Sequence, residues 1–267
     1  MKYKDQLNNE LLLADYPKRI ISLVPSQTEL LVELGLEENI VGVTKFCVHP
    51  KRLMSEKTIV GGTKKVNYKK INSLLPDLII GNKEENTEEI IKQLKGTAPV
   101  YVTDIVTIKD SLQFISDIGQ ICHKKTESKN LINKIEKGLH EFSGFIKKRP
   151  LRKVAYFIWK KPWMVAGSKN YINEILGLNK FENIFGNAPQ RYPDIYVEYF
   201  SDLNPEMKPE LILLPTEPYP FSDEDIVDLK RHIDCEIKLV DGEMFSWHGS
   251  RILNALDYFK KLHLSLE

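Results

Sequence analysis

Cysteine is scarce and odd in number: the 267 residues include only Cys47, Cys122 and Cys235, widely spaced. No disulfide framework fits that count, so the thiols are expected to be reduced or buried. No charge of one sign dominates either. The 38 lysines and arginines face 37 acids, a formal net charge of +1, with both signs interspersed. That balance excludes a field built for nucleic acid or an anionic membrane. No apolar run exceeds strand length, so no membrane-spanning helix is expected. Met1 to Tyr16 carries Lys2, Lys4, Asp5, Glu10 and Asp15 around a short Leu11-Leu12-Leu13 run. A secretory signal needs a longer apolar stretch and a small-residue cleavage site, and neither is visible. Catalytic signatures are missing as well. There is no G-x-x-x-x-G-K-[ST], no G-x-G-x-x-G, no G-x-S-x-G and no H-E-x-x-H. Cys47 and His49 lie close together, but one C-x-H pair falls short of the ligand count of a zinc site.

What is present is organised around Arg19-Ile20-Ile21-Ser22-Leu23-Val24-Pro25-Ser26-Gln27-Thr28-Glu29-Leu30. Its apolar, β-branched start reads as a strand buried on both faces in a parallel sheet. Pro25 ends the strand, since it donates to no ladder. Ser26 and Glu29 stand at capping-box spacing ahead of Leu30, Leu31 and Leu34, and Gly35 sits where a left-handed residue would end the helix. The Ser26–Gln27 turn is then at the carboxyl end of the sheet. That place is either a ligand site or an ordinary strand-to-helix turn.

Alternation continues down the chain. Strands are expected at Asn39–Thr44, Thr58–Gly62, Leu78–Gly81 and Pro99–Asp104. Helices are expected from an Asn67 cap through Leu74-Leu75 and at Thr87–Leu94. Such alternation implies a doubly wound parallel sheet. Then the rhythm changes. Ile108, Leu112, Ile115, Ile118 and Ile121 keep helical spacing, as do Leu131, Ile135, Leu139, Phe142 and Ile146 in a second helix capped by Thr126 and ended at Arg149-Pro150. Two dozen such residues reach roughly 35 Å at about 1.5 Å each, long enough for a rigid strut. After Pro150 the pattern restarts. Strands are expected at Lys153–Trp159, Met164–Gly167, Glu210–Thr216 and Glu236–Asp241. Helices are expected at Tyr171–Leu176, Val197–Leu203 and Ser222–His232, with a last one capped by Ser250.

Chemistry-bearing residues gather at strand ends. Glu84 and Glu85 follow a strand and serve either a ligand or the solvent. Trp159, Trp163, Tyr192, Tyr219, Phe221, Phe245 and Trp247 all fall at or after strand ends in the second half. As a set they read as the wall of a wide pocket, or else as satellite clusters under loops. The segment from Asp241 to Arg251 is the richest. Phe245 and Trp247 offer stacking surfaces, Arg251 a forked donor for a carboxylate or phosphate, and His248 either a metal ligand or a hydrogen-bonding loop residue. Trp247 is expected to be exposed at the rim of the second half, and Arg251 to pair with a ligand anion or with Asp241.

Arg19 to Glu29, Leu75-Pro76-Asp77-Leu78-Ile79-Ile80, the long helix, Phe181-Glu182-Asn183-Ile184-Phe185 and Trp247 to Arg251 together carry a resemblance. The chain resembles the periplasmic substrate-binding proteins for vitamin B12 and for ferric siderophores or haem, the ABC-transporter receptors with two lobes joined by one long helix. The resemblance implies an α/β fold of two doubly wound parallel-sheet lobes, residues 1–123 and 150–267, bridged by a helix over 124–149. It implies a non-catalytic monomer with no resident cofactor and no metal-ligating residues. The bound ligand would be a metal chelate, a corrinoid or iron complex, held in the cleft between lobes. By resemblance Phe46 matches an aromatic of the first lobe and Trp163, Tyr192 and Phe245 fall near those of the second. Thr63 and Asn82 stand where two further first-lobe aromatics would be. Ser26, Gln27, Lys83, Glu84, Glu85, Trp247 and Arg251 complete the expected ligand-binding set. Glu198 matches an acid that docks a permease, whereas the corresponding first-lobe position holds Lys69, of opposite sign. The resemblance places the protein in the periplasm; the lack of a visible leader means either that one has been removed or that the protein stays in the cytoplasm. The alternative is an intracellular protein of this fold that senses or acts on a metal complex or another bulky ligand through Glu84, Glu85 or His248.

Overall fold

The computed structural model describes residues 1–267, except for the side chains of Ser201 and Asp202. The chain forms two compact units. One comprises Met1–Ile105, Lys109–Lys137 and Trp247–Leu253; the other comprises Val106–Ile108, Gly138–Ser246 and Asn254–Glu267.

The first unit opens with a hairpin of β1 (Lys2–Lys4) and β2 (Glu10–Leu12). Its turn is held by the buried Asp5 carboxylate, which accepts from the backbone N–H of Leu7 at 3.0 Å and of Asn9 at 2.8 Å. The chain then runs through β3 (Ile20–Ser22), α1 (Pro25–Glu33), β4 (Ile40–Val43), α2 (Leu53–Glu56), β5 (Thr58–Ile59) and α3 (Tyr68–Ser73). It continues through β6 (Leu78–Asn82), α4 (Glu88–Leu94), β7 (Val100–Thr103) and α5 (Ile108–Ile121). The five strands β3 to β7 form one parallel sheet in the order β5-β4-β3-β6-β7. All three residues of β3 are buried, as expected for a central parallel strand covered on both faces. Ile21, Leu23, Ile71, Ile79, Ile90, Leu94, Val100 and Val102 form a core on this sheet. Strand order reverses between β3 and β6, so the carboxyl ends of those two strands mark the topological switch point.

Helix α1 departs from the expected capping. It starts at Pro25 with Val24 as its N-cap, and no side chain caps it. Proline suits the first helical position, since its φ is already helical and its missing N–H would be unpaired there. Ser26 therefore lies inside the first turn, and Glu29 is directed elsewhere. The end of α1 is as expected. Gly35 has φ of 70°, its N–H bonds to Val32 O, and the Leu36 N–H bonds to Leu31 O, the two bonds of a Schellman motif. Asn67 and Thr87 cap α3 and α4 through hydrogen bonds from Lys70 N and Ile90 N.

Helix α6 (Lys125–Ile146) is continuous for 22 residues, starting before Thr126 rather than being capped by it. Leu131, Ile135, Phe142 and Ile146 are buried along it, as their spacing requires.

The second unit contains β8 (Arg152–Trp159), β9 (Trp163–Val165), α7 (Tyr171–Leu178), β10 (Phe181–Asn183), β11 (Asp194–Ile195) and α8 (Tyr199–Asp202). Then come β12 (Leu211–Pro215), α9 (Asp223–Leu229), β13 (Glu236–Val240), α10 (Gly242–Ser246) and α11 (Arg251–Leu264). Strands β10, β12 and β13 join β8 in parallel ladders, but β9 pairs with β8 antiparallel, and β11 with β9 antiparallel. So this sheet is mixed rather than wholly parallel. Residues 160–162 are too short a connection for a crossover and close only a hairpin. Helix α7 runs through Gly177, where the sequence suggested its end, and Asn170 caps its start by accepting from Asn173 N at 2.8 Å. The expected Ser222 cap of α9 is present as a capping box with Asp225. Ser250 precedes α11, but its buried hydroxyl has no hydrogen-bond partner, so it caps nothing. Ile252, Ala255, Leu256, Phe259 and Leu262 are buried along α11, on the face their spacing marked. Among the described residues, no helix is long and apolar enough to cross a membrane.

Candidate functional site

In the first unit, expected site residues collect at the switch point. Gln27, buried in the first turn of α1, donates from Nε2 to Thr103 Oγ1 at 2.7 Å and to Gly81 O at 3.3 Å. Asn82 Nδ2 donates to the same threonine oxygen at 2.9 Å. Helix α1 and strands β6 and β7 are thus pinned through one hydroxyl. Ser26 is buried as well, with Oγ 3.4 Å from His248 Nε2. Both α1 side chains are therefore engaged in the interior of the first unit.

The loop after β6 presents Lys83, Glu84 and Glu85. Asn82 Oδ1 accepts from the backbone N–H of Glu84 at 2.8 Å and of Glu85 at 3.1 Å. Asn86 Oδ1 accepts from Asn82 N, and its Nδ2 donates to Thr63 O, both at 2.9 Å. Both asparagines are buried. Sequence reading treated Asn82 only as a lost aromatic and did not single out Asn86. Two asparagines four apart at a strand end, the pattern of side chains that cap turns, were the available signal. Lys83 projects into an ion pair with Asp104 at 2.6 Å, and Lys64 donates to the carbonyl of Glu84. Crowding by neighbouring atoms raises the Glu85 carboxyl above the usual carboxylate range, against the Lys64 ammonium and a Thr63 hydrogen bond that lower it. The residue as a whole is solvent-exposed, so that rise is small in energy.

Phe46 is exposed at 47%, with the Lys45 ammonium 5.0 Å from its ring centroid. Its loop is fastened by Cys47, whose buried sulfur lies 3.1 Å from Thr28 Oγ1 and 3.3 Å from Thr44 Oγ1. An exposed ring on an anchored loop is a pre-formed contact surface. All three thiols are free, as expected from their number and spacing.

In the second unit, Trp163 is half-buried. It stacks on Phe221 at 6.1 Å and 7°, meets Phe157 edge-on, and carries the Lys160 ammonium 4.8 Å from its centroid. Tyr192 is half-buried near Tyr156, whose phenol is raised well above its ordinary value by burial and then by Glu217, Tyr258, Asp241 and Tyr192. Trp159, the last residue of β8, is 42% exposed.

Three expectations for the Asp241–Arg251 segment are corrected. Phe245 is not at a loop tip: it lies in α10, fully buried against Tyr156 at 5.1 Å and Phe259 at 5.0 Å. Trp247 is not an exposed rim residue of the second unit. It is 7% exposed and belongs to the first unit, edge-on to His49 at 5.4 Å. Arg251 pairs with Glu29 of α1, at 2.7 Å between Nη2 and Oε1, rather than with Asp241, and its guanidinium lies 4.9 Å from the Trp247 ring. The hydrophobic effect and a buried acid partner draw these side chains inward, which strand-end position alone does not reveal. His248 is buried too, and burial lowers its pKa to about 3, so it remains neutral. Among the described residues, no group of three or more His, Cys, Asp or Glu is arranged to hold a metal ion.

Glu198 is exposed just before α8, and Lys69 is exposed on α3.

A sequence profile described as periplasmic binding protein matches residues 20–232. The vitamin B12-binding protein of Vibrio parahaemolyticus is 26% identical over 203 residues, 74% of this chain and 73% of that protein. An uncharacterized ABC transporter substrate-binding lipoprotein of Bacillus subtilis is 28% identical over 187 residues, 67% of this chain and 59% of its own length, so the match spans less than two thirds of that relative. Among solved structures, a periplasmic heme binding protein from Pseudomonas aeruginosa superposes with a TM-score of 0.79 at 19% identity, covering 92% of each chain.

Proposed function

This chain belongs to the periplasmic binding protein family, a family of binding proteins rather than enzymes, and on that premise we propose that it is the substrate-binding protein of an ABC-type transporter whose ligand is a metal chelate: a corrinoid, a ferric siderophore or haem. The observation that carries this reading is the agreement of two kinds of likeness. Similarity of sequence leads to a vitamin B12-binding protein, and similarity of fold leads to a heme binding protein. The chelate is cargo, not a resident cofactor.

The residues proposed to meet the ligand are those left outward at the carboxyl ends of the sheets. In the first unit these are Phe46, Lys83, Glu84 and Glu85, with Gln27, Asn82 and Asn86 as the frame that holds them. In the second unit Tyr192 and the aromatic cluster around Trp163 supply the apolar face. Phe245, Trp247 and Arg251 are assigned to the core. The proposed partner is an ABC permease, met through Glu198, and the proposed place of work is the periplasm, in keeping with the family's description. The opposite charge at Lys69 calls for a partner surface that differs from one built for two acids.

Calorimetric titration with cyanocobalamin, haemin and ferric complexes of catecholate and hydroxamate type tests this. Micromolar or tighter affinity for one chelate supports the reading. No affinity for any of them, beside binding of a metal-free solute, would overturn it.

A further inference from the structure

The near-neutral sum of charges holds for the chain as a whole and fails locally. From Lys45 to Lys70, seven lysines and Arg52 stand against one acid, Glu56, a net charge of +7 in a chain that totals +1. The whole segment belongs to the first unit. It folds around β5, an edge strand of the parallel sheet, with α2 before it and α3 after. Backbone hydrogen bonds draw its pieces together: Lys45 N bonds to Gly61 O at 2.8 Å, Gly62 N to Lys65 O at 2.8 Å and Asn67 N to Val60 O at 2.7 Å. These cations therefore gather about one edge of the unit.

Most of them are not neutralised within the fold. Arg52 pairs with Glu37 and Glu56, and Lys64 donates to the Glu84 carbonyl beside Glu85. Lys70 donates to a backbone carbonyl, that of Ile59 at 3.1 Å, which leaves its charge uncompensated. Lys45, Lys51, Lys65 and Lys69 are exposed and, among the described residues, have no acidic partner. Val48 and Met54 are exposed between them in the chain. Lysines commonly guard a sheet edge against strand pairing, but β5 has only two residues and offers little edge to guard.

The kind of cation bears on the partner. Lysine is a flexible, strongly hydrated point charge and is depleted in protein interfaces, where the planar fork of arginine is favoured. Seven lysines to one arginine, with that arginine already paired, fit a diffuse sheet of negative charge better than the shaped face of a protein. We propose that the Lys45–Lys70 face of the first unit is a docking surface for an anionic lipid membrane, with Lys45, Lys51, Lys65, Lys69 and Lys70 meeting the phospholipid headgroups. What the overall balance excludes for the chain as a whole, this one face restores. The inference goes beyond the function proposed above and holds whatever the bound ligand is.

The test is co-sedimentation of the full chain with vesicles of phosphatidylcholine alone and of phosphatidylcholine with one third phosphatidylglycerol. The wild type should bind the anionic vesicles and leave the neutral ones, and added salt should release it, because exposed charges are screened within about 8 Å at physiological ionic strength. A Lys51→Gln, Lys65→Gln, Lys69→Gln triple variant should bind about tenfold to a hundredfold more weakly, the range for three lysines near a charged bilayer, with its melting temperature unchanged. Lys92, Lys129 and Lys134 are exposed outside the segment. Changing those three to Gln removes the same charge and should leave binding as in the wild type. Equal losses in the two triple variants would overturn the proposal, since the vesicles would then be answering net charge alone. Equal binding to neutral vesicles would overturn it too. A wild type that binds neither kind of vesicle would overturn it and leave the basic face to an acidic protein.

Discussion

Arg251 and Glu29, 222 positions apart, meet as a forked pair: Nε lies 3.0 Å from Oε2 and Nη2 lies 2.7 Å from Oε1. Both side chains are largely enclosed, at 7% and 18% exposure. The pair binds the Trp247–Leu253 segment to α1, and a hydrogen bond from Gly249 N to Ser111 Oγ at 2.8 Å ties it to α5. An arginine at the first helical position, unfavourable toward the helix dipole, is thereby explained by its partner.

Removing one member leaves an uncompensated charge. Arg251→Met, like Arg251→Ala, should therefore destabilise the protein by about 3 kcal/mol or more, whereas the Glu29→Gln, Arg251→Met double change should cost less than Glu29→Gln and Arg251→Met summed. Denaturant unfolding of the four proteins in the cycle measures this. Ligand affinity of the folded Arg251→Ala protein should be unchanged. Strict additivity would show that the pair carries no coupling.

Trp247→Ala should behave as a core truncation, at about 3–5 kcal/mol, and so should Phe245→Ala. Chemical denaturation provides the measurement. A loss of affinity with no loss of stability in either variant would return that residue to the ligand.

Asn86→Ala removes an acceptor for Asn82 N and a donor to Thr63 O. We expect a loss of about 1–3 kcal/mol and faster amide exchange at Glu84 and Glu85, whose loop the asparagines fix. Affinity should fall too, because the loop presents three expected contacts. Unchanged exchange at those amides would mean that the backbone holds the loop without help.

Two buried histidines contribute to the acid response. Burial lowers His248 to about 3, and burial followed by Arg149 and Arg152 lowers His263 to about 4. Both are neutral in the folded chain, and the unfolded chain takes up protons first, near 6.5. Their contribution to stability is therefore complete above pH 6.5. It is lost as pH falls toward the folded values, by up to about 1.4 kcal/mol per pH unit for each histidine. Melting temperatures followed from pH 7 to pH 4.5 should fall, and His248→Gln should flatten the decline. A profile equally steep in that variant would place the acid lability elsewhere.

Much of the fold was legible because its signals are local. The β-branched run of β3, the Asn67 cap, the Ser222 cap and the left-handed Gly35 each depend on residues within a few positions. The antiparallel β9 was less visible, since Met164–Gly167 has strand character in either direction and only the length of the turn decides. For the candidate site, the position of the acids just after β6 was readable from the sequence, whereas Phe46 entered only through the family resemblance. The burial of Trp247, Arg251 and Phe245 was not. Each depends on a partner far away in the chain: His49 for Trp247, Glu29 for Arg251 and Tyr156 for Phe245. Asn86 went unnoticed because its two hydrogen bonds join β6 to a loop residue, Thr63, that no spacing links to it.

The most direct measurement is native mass spectrometry of the protein isolated from its own cells, with no ligand added. The account predicts a mass increment equal to one metal chelate, released on unfolding and carrying cobalt or iron by elemental analysis. A protein that retains a metal-free solute instead would contradict it.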